Sequence, residues 1–164
     1  MQTDGHASTE YVIEEVMDFD KAWPALEALT FGIIEYHRPW DNRKLRPNWS
    51  GIMREYMETQ CTTLLARRPG GEAIGFLTGT IRSDFGIFEG TFGHVDNAFV
   101  VERARKEGIG RGLYDRFEGI CRARGASEVR LEVATGNKLG ARFWRGAGFE
   151  VQMQEMSKSL EVTA

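Results

Sequence analysis

Apolar residues change their spacing from one segment of the chain to the next, and the spacing names the element. Ile109, Leu113, Phe117, Ile120 and Cys121 fall at i, i+4, i+8, i+11 and i+12, on one face of a helix. Gly125 follows as its stop. SEVRLEVAT, from Ser127, alternates Val129, Leu131 and Val133 against Arg130 and Glu132, which is the period of a strand. Upstream, Tyr11 to Val16 reads as a short strand. DFDKAWPALEAL (Asp18 to Leu29) has an acidic start and places Trp23, Leu26 and Leu29 at helical spacing. The segment HRPWDNRKLRPNWS, His37 to Ser50, carries two of the four prolines and reads as a loop. Ser50 then caps a second helix, GIMREYMETQ. Three strand-like segments follow, CTTLLAR from Cys61, EAIGFLTGTIR from Glu72 and FGHVDNAFVV from Phe92, with PGG at 69–71 as the first turn. Near the end, NKLGARFWRGAG reads as a short helix capped by Asn137, and FEVQMQEMSKSL as a closing strand. The order β-α-α-β-β-β-α-β-α-β predicts an α/β fold with a central mixed sheet flanked by helices.

The 164 residues, 41% of them hydrophobic, suit a single domain spanning residues 1–164. The formal charge is only -3, but it is unevenly spread. Residues 1–100 carry 9 Lys/Arg against 15 Asp/Glu, whereas residues 101–150 carry 11 against 7. A nucleic-acid binder is usually strongly basic, so the modest basic segment suits a small phosphorylated ligand better than a polyanion. The acidic first part suits a cationic second substrate, and serves solubility equally well. Cys61 and Cys121 lie far apart without CxxC spacing or paired histidines, so neither a disulfide framework nor a metal site is expected. MQTDGHASTE lacks an apolar targeting core, and no apolar run is long enough to span a bilayer. The expectation is a cytoplasmic protein with no membrane partner.

The basic segment contains VVERARKEGIGRGLY, Val100 to Tyr114, with glycines at 108, 110 and 112. Such glycines let backbone N–H groups converge on an anion at a helix start. A P-loop would need GxxxxGK followed by Ser or Thr, and none exists. The dinucleotide fingerprint would need glycine where Leu113 stands, and Glu102 to Glu107 separate the glycines from the strand. What remains is a strand, a charged turn and R-x-x-G-x-G (Arg105 to Gly110) opening a helix. Together with NAFVV before it, LEVATGN after it, and NKLGARFWRGAGF with Asn137, Ala141, Phe143 and Gly148-Phe149, this resembles the GNAT superfamily of acyl-CoA-dependent N-acetyltransferases.

The resemblance implies an enzyme moving acetyl from acetyl-CoA to a primary amine, with a small cationic molecule as the expected acceptor. It implies that backbone N–H groups of Lys106, Glu107, Gly108, Ile109, Gly110 and Arg111 hold the coenzyme pyrophosphate. Lys106, Arg111 or Arg145 would add charge there. Phe99, Val100 and Val101 would lie beside the pantetheine arm and acyl group, the Val100 N–H facing the developing oxyanion, and Asn137 would hydrogen-bond the same arm. Look-alikes are frequently dimers, so a homodimer is among the expected assemblies. The plainer alternative is a glycine turn that only joins a strand to a helix.

A lysine-like amine has a pKa of ~10.4, so acetyl transfer at neutral pH needs a base. Asp96, four residues before Val100, is the leading candidate. His94 lies on the same strand face and is expected to assist it or act alone; otherwise both are the polar side of a strand. Glu35, Tyr36 and His37 fall in the loop region that borders the acceptor in such proteins, with Glu35 and His37 the expected substrate contacts. Trp144 stands where many family members carry a tyrosine that protonates the departing thiolate. An indole N–H does not give up its proton, and a missing general acid costs about 10²–10⁴ in rate. Water or Tyr114 would have to substitute, although Tyr114 also reads as a packing residue. Neither cysteine has a neighbouring histidine in sequence, so acetyl transfer is expected to be direct. The other reading is an acyl-CoA-binding sensory module whose chemistry is weak or lost.

Overall fold

The computed structural model describes residues 10–160 apart from Phe85. They fall into two compact units that divide after Glu132. In the first, five strands lie in the order β1 (Val12–Glu15), β2 (Thr62–Arg67), β3 (Ala73–Ser83), β4 (Thr91–Val100) and β5 (Ala126–Arg130). The first four pair antiparallel and β5 runs parallel to β4. That change of direction requires a crossover, supplied by helix α3 (Ile109–Ala123).

Helix α1 (Phe19–His37) begins where the Asp18 side chain accepts from the Lys21 N–H at 3.1 Å. It runs eight residues past Leu29, because Ile33 keeps the buried stripe of Leu26 and Leu29 going, and it ends at His37, two residues before Pro39, which has no N–H to continue the ladder. Glu35, Tyr36 and His37 therefore sit in its last turn rather than in a loop. Helix α2 (Trp49–Gln60) has Asn48 at its N-cap position. Ser50 lies inside the helix and, instead of capping it, donates to Glu27 of α1.

The sheet is covered on both faces. On one, Leu65 and Phe76 pack against Leu26, Leu29 and Ile33 of α1 and Met57 of α2, with Phe99 and Val101 at the margin. On the other, α3 lies so close that a Cβ at Gly79 would stand 2.3 Å from the Phe117 ring, and one at Gly93 would stand 2.4 Å from the Cys121 sulfur. Next to Gly79 the β3–β4 register jumps: Thr78 faces Asn97, whereas Gly79 faces Val95. Asp96 is the extra residue of this β-bulge, so Asp96 and Asn97 turn toward the same, α1/α2 face.

In the second unit, helix α4 (Lys138–Gly146) is capped as expected by Asn137, whose Oδ1 accepts from the Gly140 N–H at 2.9 Å. It ends with Gly148 at φ 95°, the Gly148 N–H bonded to the Arg145 carbonyl and the Phe149 N–H to the Trp144 carbonyl. Trp144 packs edge-on against Phe149 at 5.3 Å, the apolar contact that accompanies this stop. The expected closing strand is not formed: residues 150–160 carry no regular element. After Met153 the apolar positions change parity, with Glu155 followed by Met156, so no single face can be buried. Val151, Met153 and Met156 are 70%, 89% and 90% exposed. The strand expected over Ser127 to Thr135 likewise ends early, at Arg130, where its pairing with β4 stops.

Candidate functional site

The pairing of β4 with β5 ends at His94 opposite Arg130, but β4 continues to Val100. Among the described residues its second half therefore has no strand paired on that side. The Val101 N–H donates to the Ile74 carbonyl at 3.0 Å. Antiparallel alternation then directs the backbone groups of Phe99 toward β3 and those of Ala98 and Val100 toward the side away from β3. The Val100 N–H thus points to that side. Ala98, two residues earlier on the same edge, supplies a second such N–H that sequence reading missed. The Val100 carbonyl accepts from Arg105 Nε at 3.1 Å. That guanidinium lies 5.1 Å from the centre of the Tyr36 ring and 5.9 Å from that of Phe99. A groove of about 470 Å³ borders the same strand end, lined in part by Gly32, Phe99 and Val101.

The glycine turn follows after one 3-10 turn, Glu102–Ala104. Gly108, at φ 81°, is the N-cap residue of α3 and has no side-chain cap. The first intrahelical bond runs from the Gly112 N–H to the Gly108 carbonyl at 2.9 Å, so the N–H groups of Ile109, Gly110 and Arg111 precede the helical ladder. Lys106 is exposed and holds a left-handed φ of 66°. Ile109 is buried at 1% exposure and anchors the turn. Gly112 serves packing instead: a Cβ there would stand 2.9 Å from the Tyr11 hydroxyl. The side chains are mostly committed. Arg68 grips Glu107 through two bonds of 2.8 and 3.0 Å, holding its carboxyl below the usual range, and Arg111 pairs with Asp115 at 2.7 Å. An anion would meet backbone donors, the positive end of α3 and Lys106, with the charge of Glu107 already balanced.

At the bulge, four side chains converge on one carboxylate. Asp96 Oδ1 accepts from Arg82 Nη2 at 2.6 Å and lies 2.9 Å from His94 Nδ1. Oδ2 accepts from the Tyr56 hydroxyl at 3.3 Å, with the Cys61 thiol at 3.9 Å. The Asp96 and His94 side chains are only 10% and 14% exposed. Burial, then the charge of Asp96, pushes the Cys61 thiol up to about 12, so it remains a thiol and no nucleophile. The same two causes raise Tyr56. His94 and Asp96 are thus brought together as expected; Arg82, Tyr56 and Cys61, 14 to 40 residues from Asp96 in sequence, carried no sequence signal for this place.

Other expected residues fall elsewhere. Glu35 pairs with Arg38 at 3.1 Å. The His37 ring packs against Tyr36 and Trp40 at 5.6 and 5.9 Å. Burial lowers its pKa, partly countered by Asp41. Of that group it is Tyr36 that reaches the β4 margin, through Arg105. Tyr114 is buried in α3, and burial with Glu118 pushes its phenol well up, which makes it a packing residue. Asn137 belongs to the second unit, where it caps α4. Among the described residues no group of three or more His, Cys, Asp or Glu could hold a metal ion, and no helix is long and apolar enough to cross a membrane.

The acetyltransferase (GNAT) family model matches residues 23–149. No curated protein matches. Among solved structures, the aminoglycoside acetyltransferase AAC(6')-Iy, in complex with the bisubstrate analogue CoA-S-monomethyl-acetylneamine, superposes with a TM-score of 0.73 at 16% identity, over 93% of this chain and 99% of that one. An acetyltransferase of Trypanosoma brucei gives 0.67 at 17% identity over 92% and 100%. Glucosamine-6-phosphate N-acetyltransferase of Arabidopsis thaliana gives 0.65 at 17% identity over 93% and 99%. At these identities the likeness is one of fold.

Proposed function

The chain belongs to the acetyltransferase (GNAT) family, and on that premise we propose that it is an N-acetyltransferase using acetyl-CoA and a primary amine, with residues 1–164 forming one such domain. One observation carries the reading: among the described residues the second half of β4 has no strand paired on one side, and a 3-10 turn joins it to an uncapped, left-handed glycine turn at the start of α3. A peptide-like arm can pair with such an edge while a pyrophosphate meets the N–H groups beyond it. The residues present fit acetyl-CoA in that way. Lys106, Glu107, Gly108, Ile109, Gly110 and Arg111 would hold the phosphates through their backbone, and Phe99, Val100 and Val101 would flank the arm. Bound there, acetyl-CoA supplies an activated acetyl group as a thioester.

The contribution of the protein is to position, to stabilise charge and to move a proton. The Val100 N–H, fixed by the sheet and pointing away from β3, donates to oxygen charge that develops there. The His94–Asp96 pair takes the proton that the amine nitrogen must lose as it bonds to the acetyl carbon. A small cationic acceptor is favoured by the acidic balance of residues 1–100, with Glu35 and His37 at the α1 end as candidate contacts. AAC(6')-Iy, bound to an analogue containing neamine, makes neamine a reasonable first amine.

The test is calorimetric titration with acetyl-CoA, together with a thiol-release assay on neamine, glucosamine 6-phosphate, spermidine and a lysine peptide. Binding near micromolar that Gly110→Asp abolishes, with CoA released on at least one amine, is the expected result. Absence of acetyl-CoA binding to the wild type defeats the reading. Tight binding with no amine acetylated supports the second reading, a sensory module, which Trp144 favours because it offers no acidic hydroxyl at the family position.

A further inference from the structure

The hydrogen bonds around the bulge divide the labour between His94 and Asp96. A carboxylate only accepts hydrogen bonds, so the imidazole nitrogen 2.9 Å from Asp96 Oδ1, Nδ1, is the one that carries hydrogen. In the neutral ring Nε2 then holds the lone pair. Asp96, by contrast, has both oxygens engaged. Oδ1 serves a guanidinium and an imidazole, and Oδ2 serves a phenol, with a thiol alongside. To accept a substrate proton on either oxygen it would lose the negative charge that strengthens its bonds to Arg82 and His94. The imidazole surrenders nothing.

Three further elements hold the carboxylate. Arg82 comes from β3, with its Nε tied to Thr80 at 2.8 Å. Tyr56 comes from α2, and Cys61 from the turn that ends it. Arg130, opposite His94 on β5, is committed to Asp84 and Glu128. Tyr56, Arg82 and Cys61 are therefore the ionisable groups facing the pair. Asp96, being the extra residue of the bulge, lacks the cross-strand partner that would fix an ordinary strand residue, and its direction depends on these clamps.

We propose that His94 Nε2 is the proton acceptor of the acetyl transfer, and that Tyr56 and Arg82 are positioning residues that act through Asp96. The inference rests on the acetyltransferase reading for its chemistry, but not for its geometry. In the step, the amine nitrogen forms its bond to the acetyl carbon as its N–H proton passes to Nε2. The carbon–sulfur bond breaks and the electron pair leaves on sulfur as thiolate. The imidazolium, held by Asp96, returns its proton to water or to that thiolate.

Two measurements test this. The first is the nitrogen-15 spectrum of the imidazoles in full-length protein without any ligand. A neutral His94 protonated at Nδ1 is expected, and that tautomer is expected to weaken in Asp96→Asn and in Tyr56→Phe. A His94 protonated at Nε2 overturns the proposal whatever the enzyme acetylates. The second uses acetyl-CoA and neamine, or glucosamine 6-phosphate if neamine is not turned over. His94→Ala should lose about 10²–10⁴ in kcat, keep its acetyl-CoA affinity and recover partly with added imidazole. Tyr56→Phe and Arg82→Gln should each lower kcat about tenfold, with both KM values held and the acid limb of the pH profile displaced, which a loss of packing alone does not produce. Near-normal kcat in His94→Ala, with Asp96→Ala inactive but able to bind acetyl-CoA, makes the carboxylate the base and sinks the proposal. An unmoved profile in Tyr56→Phe and Arg82→Gln removes their assigned role. Failure of the wild type to acetylate any amine defeats the acetyltransferase reading, and the spectrum alone then decides whether the geometry stands.

Discussion

The two ends of the second half of β4 are built by opposite means. Its C-terminal end passes into a turn whose useful groups are backbone N–H donors, set by a left-handed Gly108 and the start of α3, while the Glu107 and Arg111 side chains are committed to Arg68 and Asp115. Its N-terminal end, at the bulge, offers side chains: one carboxylate, one imidazole and the groups that hold them. Binding a large anion calls for many weak donors at fixed spacing, which a backbone provides at no cost in side-chain ordering. Moving a proton calls for one group at one atom, which only a side chain provides.

The comparison breaks hardest at Gly79. A Cβ there would meet the Phe117 ring at 2.3 Å and the His94 carbonyl at 2.7 Å, and the second contact is backbone that cannot swing aside. Gly79→Ala is expected to cost about 3 kcal/mol, the upper range for overpacking, and to lower Tm by about 10 °C. The protein that remains folded should lose more in kcat than in acetyl-CoA affinity, because Gly79 adjoins the bulge that aims Asp96 and is remote in sequence from the turn. Equal losses in both, measured by calorimetry and initial rates at a temperature where the variant is folded, would mean that the two ends are not independently built.

This difference in construction also decides what could be read in advance. The glycine turn, α3 and the order of the first nine elements were legible, because a left-handed turn demands glycine and a half-buried helix demands a stripe. The cap at Asn137 was legible for the same local reason. The clamp on Asp96 was not: Tyr56, Arg82 and Cys61 are ordinary residues of a helix, a strand and a junction until the sheet brings them together. Nor was the reach of α1, since Glu35, Tyr36 and His37 continue a helix that ends two residues before Pro39. Where strand patterns outran their partners, at Leu131 to Thr135 and after Phe149, alternation alone could not supply the hydrogen bonds that define a strand.

A smaller effect is expected at Arg68. Its bidentate hold on Glu107 keeps that carboxylate ionised but balanced. Because folding lowers the pKa of Glu107, the stabilisation from the pair is full above the ordinary carboxylate range and is lost as pH falls through the lowered value. Arg68→Gln should leave an unbalanced carboxylate in the turn and weaken acetyl-CoA about tenfold at pH 7, with the deficit shrinking in acid as Glu107 protonates. Adding Glu107→Gln should restore affinity. If the double variant binds no better than the single one, Arg68 acts in some other way than by neutralising Glu107.

The smallest effect sharpens the account of the turn. Lys106 holds a φ of 66° that costs a side-chain-bearing residue about 1–2 kcal/mol, while glycine in its place relieves that strain and loses about 0.5–1 kcal/mol of the gain to unfolded-state entropy. Lys106→Gly should therefore raise stability by no more than about 1.5 kcal/mol. One exposed ammonium facing phosphate is screened over about 10 Å at moderate salt, so acetyl-CoA affinity should fall only about threefold, and less at high ionic strength. That modest loss is what a backbone-built anion site requires. A loss near a hundredfold in the same titration would show that the lysine side chain, rather than the row of N–H groups behind it, holds the ligand, and the contrast between the two ends of β4 would fail at its simpler end.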